Sequence, residues 1–181
     1  MSDVEIERAL TRIGHEIVEK HGGTEDLALV GIERGGPTLA ARIARVIADR
    51  YEASVPVAAV DTAAWRDDRP GPVDADATSA IDDPQPFGFE LPRSTVVLVD
   101  DVLFTGRTVR AAIDALVDRG RPAAVRLAVL IDRGHRELPI RADHVGKNVP
   151  TARDEHVEVH LATEGGGADS VRLLAADETR T

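Results

Sequence analysis

Val96-Val97-Leu98-Val99-Asp100-Asp101-Val102-Leu103-Phe104-Thr105-Gly106-Arg107-Thr108 is the stretch whose reading decides the fold. Four consecutive aliphatic residues form a strand with both faces buried, the pattern of a parallel sheet. That strand delivers two acids at its carboxyl end, the edge at which open α/β sheets place ligands. Thr105, Gly106, Arg107 and Thr108 then make a turn into a helix expected over roughly residues 109–119. Free N–H groups at the helix start, two hydroxyls and a guanidinium suit a phosphate dianion, and Gly106 permits close backbone approach. Carboxylates repel phosphate but accept hydrogen bonds from vicinal sugar hydroxyls. Acids for a ribose beside a cup for its 5-phosphate describe one composite site. The competing reading makes Asp100-Asp101 an N-cap pair, but capping needs one such residue and explains no anion cup. The stretch has neither the Gly-Lys-Ser/Thr of a P-loop nor the Gly-x-Gly-x-x-Gly of a dinucleotide turn.

The surrounding pattern alternates helix and strand. Residues 4–20 carry apolar side chains at helical spacing, at Ile6, Leu10, Ile13 and Ile17, and Gly22-Gly23 ends them. Residues 27–32 are a buried strand, and Glu33-Arg34-Gly35-Gly36 is a turn before a helix whose first turn holds Pro37. Residues 55–60 are a strand. Residues 61–94 are rich in Asp, Pro, Gly and Ala and too long for an ordinary connector, so a loop of about 62–94 is expected, with a hairpin forming part of it. Arg66 and Arg69 in that loop suit a lid that excludes water, or a solvated loop. Residues 124–131 are another buried strand, after which the chain reads as irregular to about Thr151. Residues 156–162 and 171–174 read as strands of a hairpin across Gly165-Gly166-Gly167. The fold class is therefore α/β, a mainly parallel sheet flanked by helices with a C-terminal antiparallel addition, in one domain spanning 1–181.

Composition narrows the partners. The chain has 181 residues, 43% of them hydrophobic, and no cysteine, which excludes disulfides and thiolate metal sites. Neither a signal core nor a run of roughly 20 apolar residues is present, so a cytoplasmic protein is expected and membrane partners are not. Net charge is −10, and only Lys20 and Lys147 are lysine. That pattern fits a GC-rich genome and, with the acidic excess, a salt-adapted cytoplasm. The average surface should repel nucleic acid, so binding it needs a local basic patch. The histidines show no metal-ligand spacing.

The segment 96–108 resembles the phosphoribosyl pyrophosphate (PRPP) motif of type I phosphoribosyltransferases. Residues 8–13, Trp65-Arg66-Asp67-Asp68, residues 132–143 and Gly146-Lys147-Asn148-Val149-Pro150-Thr151 are similar to the pyrimidine operon attenuator/uracil phosphoribosyltransferase family; the block after 132 is the most specific, since generic members of the class lack it. The resemblance implies transfer from PRPP to uracil, giving UMP and pyrophosphate. It also implies sensing of UMP or UTP, binding of pyrimidine-operon leader mRNA, and a homodimer or homotetramer. It assigns Asp100 and Asp101 to the ribose as catalytic contacts, and Val102, Leu103, Phe104, Thr105, Gly106, Arg107 and Thr108 to PRPP or UMP. Arg34 and Gly35 fall to pyrophosphate, Arg133 and Val157 to the base side. It implies Mg²⁺ held mainly by pyrophosphate and water, with no protein metal cage. Thr11, Arg12, His15, Lys20, His135, Arg141 and Lys147 map to the RNA-facing set. The turn after the first strand departs from that family, which has a base followed by Thr-Arg-Gly. Glu33 replaces the base, and Arg34-Gly35-Gly36 is more similar to purine-type members. Two alternatives therefore stand beside a uracil transferase: a nucleotide-sensing RNA regulator with little turnover, and a purine-type transferase.

Overall fold

In the computed structural model, which describes residues 1–65, 87–162 and 167–175, five strands form a parallel sheet. They are β1 (Leu27–Ile32), β2 (Val57–Val60), β3 (Thr95–Leu103), β4 (Ala124–Asp132) and β5 (His144–Asn148), in the order β2-β1-β3-β4-β5. Alternation on the central strands supplies two cores. Leu27, Leu29, Val97 and Val99 face α1 (Asp3–His21) and α2 (Gly36–Tyr51). Ala28, Val30, Val96 and Leu98 face α3 (Arg107–Arg119). The crossover helices thus lie on opposite faces: α2 returns the chain from β1 outward to β2, and α3 from β3 outward to β4. Right-handed crossovers in opposite directions require this placement. The chain reverses its direction of progress between β1 and β3, which makes their carboxyl ends the crevice of the sheet.

Helix α1 starts on a capping box between Ser2 and Glu5 and stops at Gly22, whose φ of 84° favours glycine. Gly14 lets α1 approach α2 closely; a Cβ there would lie 3.0 Å from Val46 Cγ1.

Two expectations need correction. Residues 132–151 are not irregular throughout, because His144–Asn148 forms the edge strand β5, paired with β4. The expected C-terminal antiparallel addition is present as the hairpin of β6 (His156–His160) and β7 (Ser170–Leu174), a separate two-stranded sheet. The long connection is anchored at its ends: Thr62, Phe87, Phe89 and Leu91 are buried, the last three beside α3. The expected hairpin in that loop, Arg66 and Arg69 lie outside the described residues, as does most of the Gly165–Gly167 turn.

The unexpected strand is fastened to α1 by long polar side chains. Arg12 donates to the carbonyls of Val145 and Gly146, both at 2.8 Å, and Lys20 to that of Asp143 at 2.8 Å. Under this seam His144 is 1% exposed, and among the described residues neither ring nitrogen has a hydrogen-bond partner. Its Nδ1 lies 3.5 Å from Glu16 Oε2, longer than an ordinary hydrogen bond. Burial pushes the His144 pKa down, the Lys20 charge adds to that, and Glu16 opposes both. The unfolded imidazole titrates near ~6.5. With the folded value below it, the unfolded state binds more protons through this window, so stability is lost as pH falls from ~6.5 through the folded value. Urea denaturation at pH 7.5 and 5.5 should show that loss in the native chain. His144→Phe should remove this part of it; an identical pH dependence in the variant would mean His144 is not its source.

Candidate active site

The turn after β1 and the acid-bearing end of β3 meet at the crevice. After β1, the turn Glu33-Arg34-Gly35 enters α2 with a cis peptide between Glu33 and Arg34. It is packed without room for side chains: a Cβ on Gly36 would lie 2.2 Å from the Val99 carbonyl oxygen, and one on Gly35 would lie 2.6 Å from Asp101 Oδ2. The Asp101 carboxylate therefore rests on the Gly35 backbone. Arg34 is exposed on this turn.

Asp100 and Asp101 lie inside β3, which runs on to Leu103, rather than just beyond the strand. Asp100 is buried, and its Oδ1 accepts the Asp101 N–H at 2.9 Å; Asp101 Oδ1 accepts the Val102 N–H at 2.7 Å. Beyond the acids the side-chain sides are exchanged, with Val102 packing on the α1–α2 core and Leu103 on the α3 core. The capping alternative is excluded, because the N-cap of α3 is Gly106.

Gly106 has φ 91° and supplies no side-chain cap. Thr105 Oγ1 accepts the Arg107 N–H at 3.4 Å. The Arg107 guanidinium is not committed to the cup alone, since its Nε donates to Glu137 at 3.0 Å, and Glu137 also accepts from Arg153 at 2.6 Å. Thr105, Arg107 and Thr108 are half-buried.

The base-side assignments fare differently. Arg133 is 5% exposed and is neither a surface residue nor a free donor. Its guanidinium donates to Thr151 Oγ1 at 3.1 Å and to the carbonyls of Ala152 and Glu155 at 3.1 and 2.6 Å, and it lies 4.1 Å over the Phe104 ring. It staples the 151–155 loop to Phe104, the residue ahead of the Thr105–Thr108 turn. Val157 is buried in the α1–α2 core.

Most of the RNA-facing set is engaged. Arg12 and Lys20 bind β5 and its approach as described, and Arg12 also pairs with Glu16 at 2.6 Å. Thr11 donates to the Glu7 carbonyl and His15 meets the Tyr51 hydroxyl at 3.0 Å. Lys147 lies 3.6 Å from Glu5, and His135 Nε2 is 2.6 Å from the Thr151 carbonyl. Arg141 is exposed. The shallow depression on α1 beside Arg8, Thr11, Arg12 and His15 also contains Glu7, Glu16 and Glu19, so it is mixed in charge. Sequence reasoning missed Asp132 and Arg136 as individual residues, although both fall in the distinctive 132–143 block.

A five-stranded parallel sheet with an acid-bearing strand and a glycine-lined turn meeting at its switch point defines a phosphoribosyltransferase. Residues 3–163 match the family model described as "Phosphoribosyl transferase domain". The chain belongs to the PyrR family. It is 55% identical over 174 residues to "Bifunctional protein PyrR" of Chloroflexus aurantiacus, covering 96% of this chain and 93% of that one. The protein of the same description from Roseiflexus sp. (strain RS-1) is 53% identical over 175 residues, covering 97% and 93%. Hypoxanthine phosphoribosyltransferase from Trypanosoma cruzi, in complex with IMP, matches with a TM-score of 0.63 and 20% identity over 84% of this chain and 76% of that one. A Staphylococcus aureus hypoxanthine phosphoribosyltransferase gives 0.60 and 19% over 84% and 77%. At that identity the structural likeness establishes the fold. Among the described residues no helix is long and apolar enough to cross a membrane.

Proposed function

We infer that the protein transfers the phosphoribosyl group of PRPP to uracil, releasing pyrophosphate and forming UMP. The observation that carries this is the contact of Asp101 with the Gly35 backbone, which joins the two ligand turns at one point of the crevice. The ribose hydroxyls face Asp100 and Asp101. The 5-phosphate sits on the Thr105–Thr108 turn, and pyrophosphate lies against Arg34 and the Gly35 backbone. As the bond from C1 to pyrophosphate breaks, C1 gains oxocarbenium character, a uracil nitrogen bonds to it, and the proton of that nitrogen leaves with pyrophosphate or to water. The chain's contribution is to hold the sugar still and meet the departing charge, which is positioning and electrostatics rather than covalent catalysis. No cluster of three or more His, Asp or Glu able to cage a metal occurs among the described residues. Asp100 and Asp101 fit a hard cation that arrives with substrate oxygens and water. Mg²⁺ bound that way would neutralise pyrophosphate as it leaves. Product analysis with PRPP, Mg²⁺ and each of uracil, hypoxanthine and guanine tests the assignment. UMP from uracil alone is the expected result; a purine nucleotide would move the chain to the purine-type reading that Arg34-Gly35-Gly36 suggests.

The family supports a second activity in the same chain, UMP- or UTP-responsive binding of leader mRNA. The docking of α1 on β5 keeps Arg12, Lys20 and Lys147 on neighbouring elements. Glu33 and the net charge of −10 oppose phosphate binding. With UMP present, Glu33→Lys should tighten leader-RNA binding and steepen the salt dependence by about one unit of slope, as one added phosphate contact does. Lys147→Ala should flatten it by a similar amount. Gel-shift titrations across a salt series read both; binding no stronger than to a scrambled hairpin, in native chain and Glu33→Lys alike, would leave the transferase alone.

A further inference from the structure

The block 132–143, the most family-specific part of the sequence, is used only in part by the reading above. Arg136 is folded beneath the phosphate turn. Its Nη1 donates to the carbonyls of Phe104 at 2.7 Å, Gly134 at 3.0 Å and Leu103 at 3.3 Å, and its Nε to that of Ile140 at 3.1 Å. Its Nη2 pairs with the Asp132 carboxylate, whose other oxygen accepts the Gly134 N–H at 2.9 Å. The same segment reaches the next carbonyl along: the N–H groups of Glu137 and Leu138 both donate to Thr105 O, at 3.0 and 3.2 Å.

Three consecutive peptide carbonyls, those of Leu103, Phe104 and Thr105, are thus anchored on one side by residues 136–138. In a trans peptide the N–H points opposite to the C=O. The anchoring therefore turns the N–H groups of Phe104, Thr105 and Gly106 away from that segment, where none has a partner among the described residues. Successive amides aimed to one side ahead of a helix start form an anion-binding concavity. Nothing in the turn itself dictates this arrangement, since Gly106 is free to adopt many conformations and α3 has no side-chain cap.

We propose that Arg136, held by Asp132, is a positioning residue for the 5-phosphate. It fixes the carbonyls ahead of Thr105 so that the amides that follow converge on the phosphate oxygens. This rests on the phosphate reading of the Thr105–Thr108 turn given above. Arg136 does not touch the substrate; with its donors spent on carbonyls and Asp132, it acts through the backbone.

The test compares UMP with uridine, which differ only in the 5-phosphate, by calorimetry on the native chain, Arg136→Gln, Arg136→Lys and Asp132→Asn, with melting curves for each. The native chain should prefer UMP strongly. Arg136→Gln should lower UMP affinity by about tenfold or more, the effect of losing hydrogen bonds from a charged group, and leave uridine affinity unchanged. In turnover, KM for PRPP should rise while KM for uracil holds. Arg136→Lys should rescue little, because a point ammonium cannot span carbonyls and a carboxylate as a planar guanidinium does. Asp132→Asn should shift the UMP-to-uridine ratio in the same direction, and it carries the test should Arg136→Gln fail to fold. A folded variant that keeps the native ratio overturns the proposal. A native chain with no preference for UMP over uridine overturns the phosphate reading itself, and the proposal with it.

Discussion

Asp100→Asn combined with Asp101→Asn should leave a folded protein that makes almost no UMP. Both native carboxylates use one oxygen to accept a neighbouring backbone N–H. The amide oxygen of asparagine can accept the same bond, so the local turn survives. What disappears is the negative charge facing the ribose hydroxyls. Each hydrogen bond to a charged group is worth about 1.5–3 kcal/mol. Losing two therefore costs about 3–6 kcal/mol, or roughly two to four powers of ten in rate. Turnover with PRPP, uracil and Mg²⁺, alongside circular dichroism, reads the result. Native turnover in a folded double variant would remove the ribose site from this strand.

Two adjacent glycines should separate catalysis from stability. Gly35→Ala places a methyl group 2.6 Å from Asp101 Oδ2, 2.9 Å from its Cγ and 3.1 Å from its Cβ, so the carboxylate must swing aside and its strand give by a few tenths of an ångström. Gly35 has φ −81°, which suits alanine, so this variant should lose less stability than Gly36→Ala, but Asp101 leaves its position against the Glu33–Gly36 turn. Losing one charged contact of about 1.5–3 kcal/mol predicts a roughly ten- to hundredfold fall in turnover. Gly36→Ala places its methyl 2.2 Å from the Val99 carbonyl, which is backbone of the central strand and cannot yield. That variant should lose stability first, with a lowered melting temperature. If Gly35→Ala keeps full activity, or melts as early as Gly36→Ala, the proposed coupling of the two turns through Asp101 is wrong.

The sequence made the central strands and helices legible because both faces of β1 and β3 are apolar and the helices repeat apolar residues at helical spacing. The strand β5 was not legible. His144-Val145-Gly146-Lys147-Asn148 contains one aliphatic side chain, and its burial is supplied by a histidine under α1. The acids and the Thr-Gly turn were legible as chemistry, but the extent of β3 was not, since two aspartates ordinarily disfavour a strand interior. Arg12, Lys20, Arg133 and Arg136 show the clearest limit. A basic residue in sequence carries no sign of whether it will meet a ligand or a carbonyl. For Arg12 and Lys20 the carbonyls lie more than a hundred residues away along the chain, and only the docking of α1 on β5 brings them within reach.

The central claim is that one nucleotide occupies the crevice between β1 and β3, phosphate on the Thr105–Thr108 turn and ribose on the acids. A crystal structure with UMP tests it most directly. The account predicts phosphate oxygens within hydrogen-bonding distance of the backbone amides from Thr105 to Thr108, and ribose hydroxyls donating to Asp100 or Asp101. A UMP phosphate bound elsewhere, for example among Arg8, Arg12 and His15 on α1, would contradict it.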